Sequence, residues 1–76
     1  MVYFVAMHRY HFIISAVDHT YDDPYGEPFA SEGAARDYGH RVVRELRADG
    51  FDLSAVLRVT NETGATVHSI PFWALR

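Results

Sequence analysis

Apolar and polar residues alternate along three stretches of the chain, and a period of two predicts β-strands. The first stretch, 10–17, is rich in aromatic and β-branched residues, and its even-numbered side chains form the more apolar face. The other two, 55–60 and 65–70, flank the sequence 61–64, which suits a type I turn with Gly64 in the left-handed position, forming a bulge. The pattern therefore predicts one strand near the start of the chain and a hairpin near its end.

Apolar residues return every three or four positions in the middle of the chain, which predicts a helix over 31–48. Ser31 is suited to cap its first turn and Gly50 to end its last one. The buried stripe is expected to contain Ala35, Tyr38, Val42 and Leu46. Gly39 lies beside this stripe and predicts that the helix approaches the sheet closely.

The segment between the first strand and the helix is dense in turn formers. Asp22, Asp23, Pro24 and Gly26 together predict a turn, with a short second strand beside it that Pro28 limits. The acidic residues here do not follow the spacing of a calcium-binding loop. We therefore interpret them as a solvated turn.

These elements together predict an α+β fold of the order ββαββ, in which one helix covers one face of a small antiparallel sheet. The turn at 61–64 sets a register in which Val59 faces Val67, and Arg58 faces His68 on the side away from the helix. The predicted core is Tyr10, Phe12, Ile14, Phe29, Ala35, Tyr38, Val42, Leu46, Leu57, Val59 and Val67.

The 76 residues predict a single domain over 1–76. So short a chain has a thin core, and without cysteine no disulfide can supplement it. The apolar start of the chain is too short to span a bilayer and lacks the pattern of a signal peptide, so we expect a cytoplasmic protein. Self-association, through the uncovered face of the sheet or through an edge strand, is the remaining route to more buried area.

Candidate chemistry is sparse. His8 and His11 are three apart, a spacing that places them on opposite faces of a strand. No motif surrounds any serine, and the five glycines form no phosphate-binding loop. We assign no catalytic, cofactor or metal-binding residues and expect that the protein is not an enzyme.

The uncovered face of the sheet is the first candidate for an interaction surface. It is predicted to present Ile13, Val56, Arg58, His68 and Ile70. A mixed face of this kind suits a homodimer, because a two-fold axis brings the same patch against itself. Protonation of His68 beside Arg58 would then weaken the dimer as the pH falls.

The alternative surface is a basic stripe on the helix, formed by Arg36, His40, Arg44 and Arg47. Its arginines, together with Arg58, could bind nucleic acid or an acidic partner. The net charge of the chain is −3, and over 31–49 four arginines balance four acidic residues. Such a balance is more typical of a solvated helix face. Nucleic acid is therefore the less favoured partner, and another copy of the chain or another protein is preferred.

Several short motifs follow one another in a recognisable order: Met7-His-Arg-Tyr-His-Phe12, the Asp23-Pro-Tyr-Gly26 turn, the helix start at 31–36, the hairpin turn at 59–64 and Ile70-Pro-Phe72. The chain is similar over 7–73 to a family of short alphaproteobacterial proteins known as a domain of unknown function. The resemblance implies a bacterial protein in which residues 1–6 are a non-native or flexible extension. It implies no activity, cofactor or site residue.

Overall fold

The computed structural model describes residues 6–74, which form one helix and five strands. In chain order these are β1 (His8–Ser15), β2 (Thr20–Tyr21), β3 (Glu27–Phe29), α1 (Glu32–Ala48), β4 (Val56–Thr60) and β5 (Thr66–Pro71), followed by a 3-10 turn (Phe72–Ala74). The predicted α+β class is confirmed, although two short strands, β2 and β3, stand where one was predicted. The proposed extension at 1–6 lies outside the described residues except for Ala6.

The strands form one antiparallel sheet in the order β2-β1-β4-β5. The third strand, β3, also pairs with β1, at its N-terminal half, whereas β2 pairs with its C-terminal end. The helix α1 packs against one face of this sheet. The opposite face is not covered by any element that the structure describes.

The boundaries of α1 follow from its capping residues. Ser31 has an extended backbone, and its side-chain oxygen accepts the N–H of Ala34 at 3.1 Å. At the other end Gly50 adopts a φ of 84°, a left-handed conformation that suits glycine. The predicted helix and both of its ends are confirmed.

The centre of the helix–sheet contact is made by small residues. Ala35, Gly39 and Val43 are buried, whereas the larger predicted residues Tyr38 and Leu46 are only half-buried at its sides. The helix residues that face the sheet are therefore spaced four apart. This buried face is rotated slightly from the predicted stripe. Small side chains at the centre permit a short distance between the two layers.

Gly39 touches the sheet directly. A β-carbon added there would lie 3.1 Å from Ile70 Cδ1, 3.3 Å from Val59 Cγ2 and 3.4 Å from Leu57 Cδ2. Contacts of this length leave room for a hydrogen atom and little more. The predicted close approach of the helix at Gly39 is confirmed.

Gly64 has the predicted left-handed conformation, with a φ of 86°, but the hairpin also contains a bulge within β5 that the predicted register lacked. Next to the turn, Thr60 pairs with Thr66 as expected, but Val59 pairs with His68, so that Val67 is an extra residue in β5. The predicted pairing of Val59 with Val67 is therefore wrong. Because one inserted residue reverses the alternation of side chains, every position after Val67 lies on the face opposite to the one predicted.

The bulge changes the composition of the core. Ile70, expected on the uncovered face, is only 3% exposed and lies beneath the helix. The core also includes Val43, Ala55 and Phe72, which were not predicted, while all six predicted members that are not fully buried pack around it. Phe72 is fully buried, and its N–H donates to the carbonyl of Ala55 at 2.9 Å, which continues the hairpin beyond Pro71.

Replacing Gly39 with leucine should destabilise the fold by about 1–3 kcal/mol, because the added side chain must displace three core side chains. Gly33→Leu is the matched control. Gly33 lies in the same helix, and the nearest atom to a β-carbon there is Ser31 Oγ at 3.9 Å. Urea unfolding should show a large decrease in the free energy of unfolding for Gly39→Leu and little change for Gly33→Leu. Equal effects would contradict this arrangement of the helix and sheet.

Candidate functional site

The uncovered face of the sheet contains three of the five residues predicted for it. Ile13 and Arg58 are cross-strand partners, and Val56 pairs with Ser15 at one end of the same face. All three side chains are half-buried. This face therefore combines two apolar residues with one arginine.

The prediction that His68 and Ile70 belong to this face is wrong. Both follow the bulge at Val67 and point toward the helix side of the sheet. Arg58 faces Ser69 instead of His68. A dimer through this face would thus lack the histidine–arginine contact that was expected to make it sensitive to pH.

The acidic turn before the helix is held against the middle of β1. One carboxylate oxygen of Asp23 accepts the backbone N–H of Phe12 at 3.1 Å, and the other accepts the N–H of Gly26 at 3.1 Å. His11 hydrogen-bonds through its ring to the backbone carbonyl of Asp23. Asp23 is half-buried, so the description of the whole turn as solvated is wrong at this residue. Its carboxylate supplies an acceptor between β2 and β3, where β1 has no strand partner on this side.

The two edges of the sheet therefore differ. On one side the strands β2 and β3 are two and three residues long, and the Asp23 turn separates them. On the other side β5 has six residues, Thr66–Pro71, and none of them is Asp, Glu, Lys or Arg. We call this outer side of β5 the β5 edge. Among the described residues, β5 pairs only with β4.

The four arginines proposed for the alternative surface do not form one continuous surface. Arg36 and Arg44 are exposed and Arg47 is half-buried, whereas Arg58 lies on the uncovered face of the sheet. The helix lies against the other face, so Arg58 cannot extend the basic stripe. Arg36 also lies 3.9 Å from the carboxylate of Asp37, which offsets part of its charge.

A pair of histidines lies where the helix meets β5. The Nε2 atoms of His40 and His68 are 3.3 Å apart, and their rings are tilted by 39° with centroids separated by 5.3 Å. Both side chains are half-buried. Sequence reasoning missed this pair, because His40 was grouped with the exposed basic stripe and His68 with the opposite face.

The surroundings of His40 disfavour its protonation. Burial lowers its pKa, and the nearby His68, Arg44 and Arg36 lower it further, while Asp37 acts weakly in the opposite direction. Neutral His40 can then share a hydrogen bond with the ring of His68. The neutral form of His40 is thus the favoured one in the folded chain.

The other histidines contact different groups. His8 hydrogen-bonds to the carboxylate of Glu62 at 2.9 Å, and His11 contacts the turn at Asp23. Within residues 6–74, no group of three or more histidine, aspartate or glutamate side chains is arranged to hold a metal ion. The same part of the chain has no helix with the length and apolar character needed to cross a bilayer.

Comparison with known proteins places the chain in a family. The model of the family described as a domain of unknown function, DUF6894, matches residues 9–73. The chain belongs to this family. No curated protein and no solved structure matches it. The resemblance inferred from the short motifs is confirmed at the level of a domain of unknown function, over nearly the same residues.

Replacing Asp23 with alanine should destabilise this DUF6894 domain by about 1–3 kcal/mol, because two backbone N–H groups lose their acceptor. Asp22→Ala is the matched control, since Asp22 is an exposed neighbour in the same turn. Thermal unfolding of both variants provides the measurement. Equal melting temperatures for the two variants would show that the Asp23 carboxylate does not support β1.

Lowering the pH should destabilise the fold in part through His40. Its folded-state pKa lies below the ordinary value of 6.5, so the unfolded chain takes up a proton first as the pH falls through that value. The contribution of neutral His40 is therefore complete above about pH 7 and is lost progressively below 6.5. When the pH is lowered from 7.5 to 5.5, the melting temperature of His40→Gln should fall less than that of the wild type. A His19→Gln control should follow the wild type, and identical slopes for all three would contradict the assignment.

Proposed function

We propose that this chain is a small, non-enzymatic interaction module that self-associates through the β5 edge. The observation that carries the proposal is the difference between the two sides of the sheet. An edge strand presents unpaired backbone N–H and C=O groups, and proteins commonly protect such an edge by making it short, interrupted or charged. The β2–β3 side is both short and interrupted. The β5 edge has six residues without a charged side chain, and its only interruptions are the bulge at Val67 and Pro71 at its end.

A second copy of the chain is the simplest partner for this edge. Two β5 strands can pair antiparallel about a two-fold axis, because each then presents the same donors and acceptors to the other. The pairing would join two sheets into one and extend the uncovered face that contains Ile13, Val56 and Arg58. A short chain with a thin core gains more from this burial than a large domain would.

The segment that follows β5 supports an interface in this region. Trp73 comes two residues after the end of the pairing with β4 and is 69% exposed. Large aromatic side chains are enriched in protein interfaces, where their area contributes strongly to binding. The position of Trp73 next to the end of β5 allows it to cover part of a joined sheet.

The non-enzymatic part of the proposal is supported by the roles of the polar side chains. The hydroxyl groups of Ser54 and Thr63 each donate to a side chain two residues earlier, Asp52 and Asn61, in exposed turns. This pattern is typical of turn stabilisation. Lowering of the Asp52 pKa by its hydrogen bonds to Ser54 agrees with a carboxylate that serves as an acceptor.

The mass of the full chain in solution tests this proposal. Sedimentation equilibrium over a concentration series should show a dimer, and Ser69→Lys should shift it toward monomer by placing two like charges across the paired edges. Thr63→Lys is the matched control, because it adds the same charge in the exposed hairpin turn outside β5. It should leave the dimer intact.

Ile13→Asp distinguishes the two interfaces. Ile13 lies on the uncovered face, so a dimer through the β5 edge should tolerate the new charge. A strict monomer at high concentration would contradict self-association. A dimer that is lost in Ile13→Asp and unaffected by Ser69→Lys would place the interface on the sheet face and contradict the β5 edge.

A further inference from the structure

The separation of the two histidine nitrogens matches a known coordination distance. Zinc–nitrogen bonds of about 2.0–2.1 Å in a tetrahedral site place two ligand nitrogens about 3.3–3.4 Å apart. Neighbouring positions in a square-planar or octahedral site with the same bond length would be separated by only about 2.9 Å. The Nε2 atoms of His40 and His68 are 3.3 Å apart. Their spacing therefore suits a tetrahedral ion.

We propose that His40 and His68 form a two-histidine site for Zn²⁺, with the two remaining positions open to water or to another ligand. The two ligands come from separate elements, α1 and β5, and 28 residues separate them in sequence. The site is formed within one chain and does not rest on self-association. Nothing in the family description assigns a metal to this domain.

The two rings can exchange their hydrogen bond for a metal ion without losing a proton. In the metal-free pair one Nε2–H donates to the other Nε2 atom, and both outer Nδ1 atoms remain available to solvent or protein. When Zn²⁺ binds, both Nε2 atoms must be lone-pair donors, so the donating ring moves its proton to Nδ1. Both histidines stay neutral, as metal-ligating imidazoles do.

The elements that carry the two rings restrict their movement. His40 follows Gly39, the residue of α1 that touches the sheet, and His68 is the first residue after the bulge at Val67. Each side chain is half-buried between the two layers. Such support keeps the nitrogens close before the ion arrives, which favours binding.

The charges around the pair limit the affinity. Arg36 and Arg44 lie one helical turn before and after His40 and oppose a cation, whereas Asp37 favours it. Arg36 is partly offset by Asp37 at 3.9 Å, so Arg44 is the more effective opponent. Removal of the Arg44 charge should consequently tighten Zn²⁺ binding if His40 is a ligand.

Titration of the metal-free full chain with Zn²⁺ tests the proposal, with calorimetry and the ring resonances of the five histidines as readouts. Zn²⁺ should shift the His40 and His68 resonances first, and Mg²⁺ should shift neither. His40→Gln and His68→Gln should each weaken binding by about tenfold or more. His19→Gln is the matched control and should bind as the wild type does, while Arg44→Gln should bind more tightly.

The ring resonances keep the test decisive even if a glutamine variant folds poorly, because they are measured in the wild-type chain. Shifts confined to His8, His11 or His19 would place any bound ion elsewhere and overturn the site. Unchanged resonances in excess Zn²⁺ would overturn it as well. Equal Zn²⁺ affinity in the wild type and in a folded His68→Gln variant would also overturn the site.

Discussion

The bulge at Val67 is the constraint on which the rest of the structure depends. Without it, the turn at 61–64 would dictate a regular register in which Val67 and Ser69 point toward the helix. With it, the alternation shifts by one residue, and Ile70 enters the core beneath Gly39. The helix can then lie close to the sheet, because an isoleucine fills the space below the glycine. A polar serine there would leave that space partly empty and a hydroxyl group buried.

The same shift determines which side chains the domain presents at its surface. It brings His68 beside His40 and removes it from Arg58, so that a contact between two imidazole rings replaces the predicted contact between a histidine and an arginine. It also turns Ser69 to the uncovered face, and β5 reaches the solvent as an edge without charges. At the opposite edge, between β2 and β3, the Asp23 carboxylate accepts the N–H of Phe12 in place of a strand partner.

The helix and the fold class could be predicted from the sequence because their signals are local. Ser31, Gly50 and the spacing of apolar residues act within a few positions. The structure has both capping residues where they were expected and differs only by a slight rotation of the buried face. The bulge is different, since it results from competition between the turn, which favours one register, and the burial of Ile70, which favours the other. One local sign was present. Val67 and Ile70 are both apolar but are three residues apart, so a regular strand would place them on opposite faces and could not bury both on one face. Burial of Phe72 was not predicted, because a proline such as Pro71 usually limits strand pairing, whereas the hydrogen bond from the Phe72 N–H to Ala55 continues the hairpin beyond it.

Nuclear Overhauser effects between β4 and β5 test the central claim most directly. The bulged register places Leu57 opposite Ile70 and Val59 opposite His68, so cross-strand effects should connect these pairs, and the Ile70 methyl groups should contact the Hα atoms of Gly39. Effects that connect Leu57 with Ser69 and Val59 with Val67 would establish the regular register instead. That result would contradict the core, the histidine pair and the edge described above.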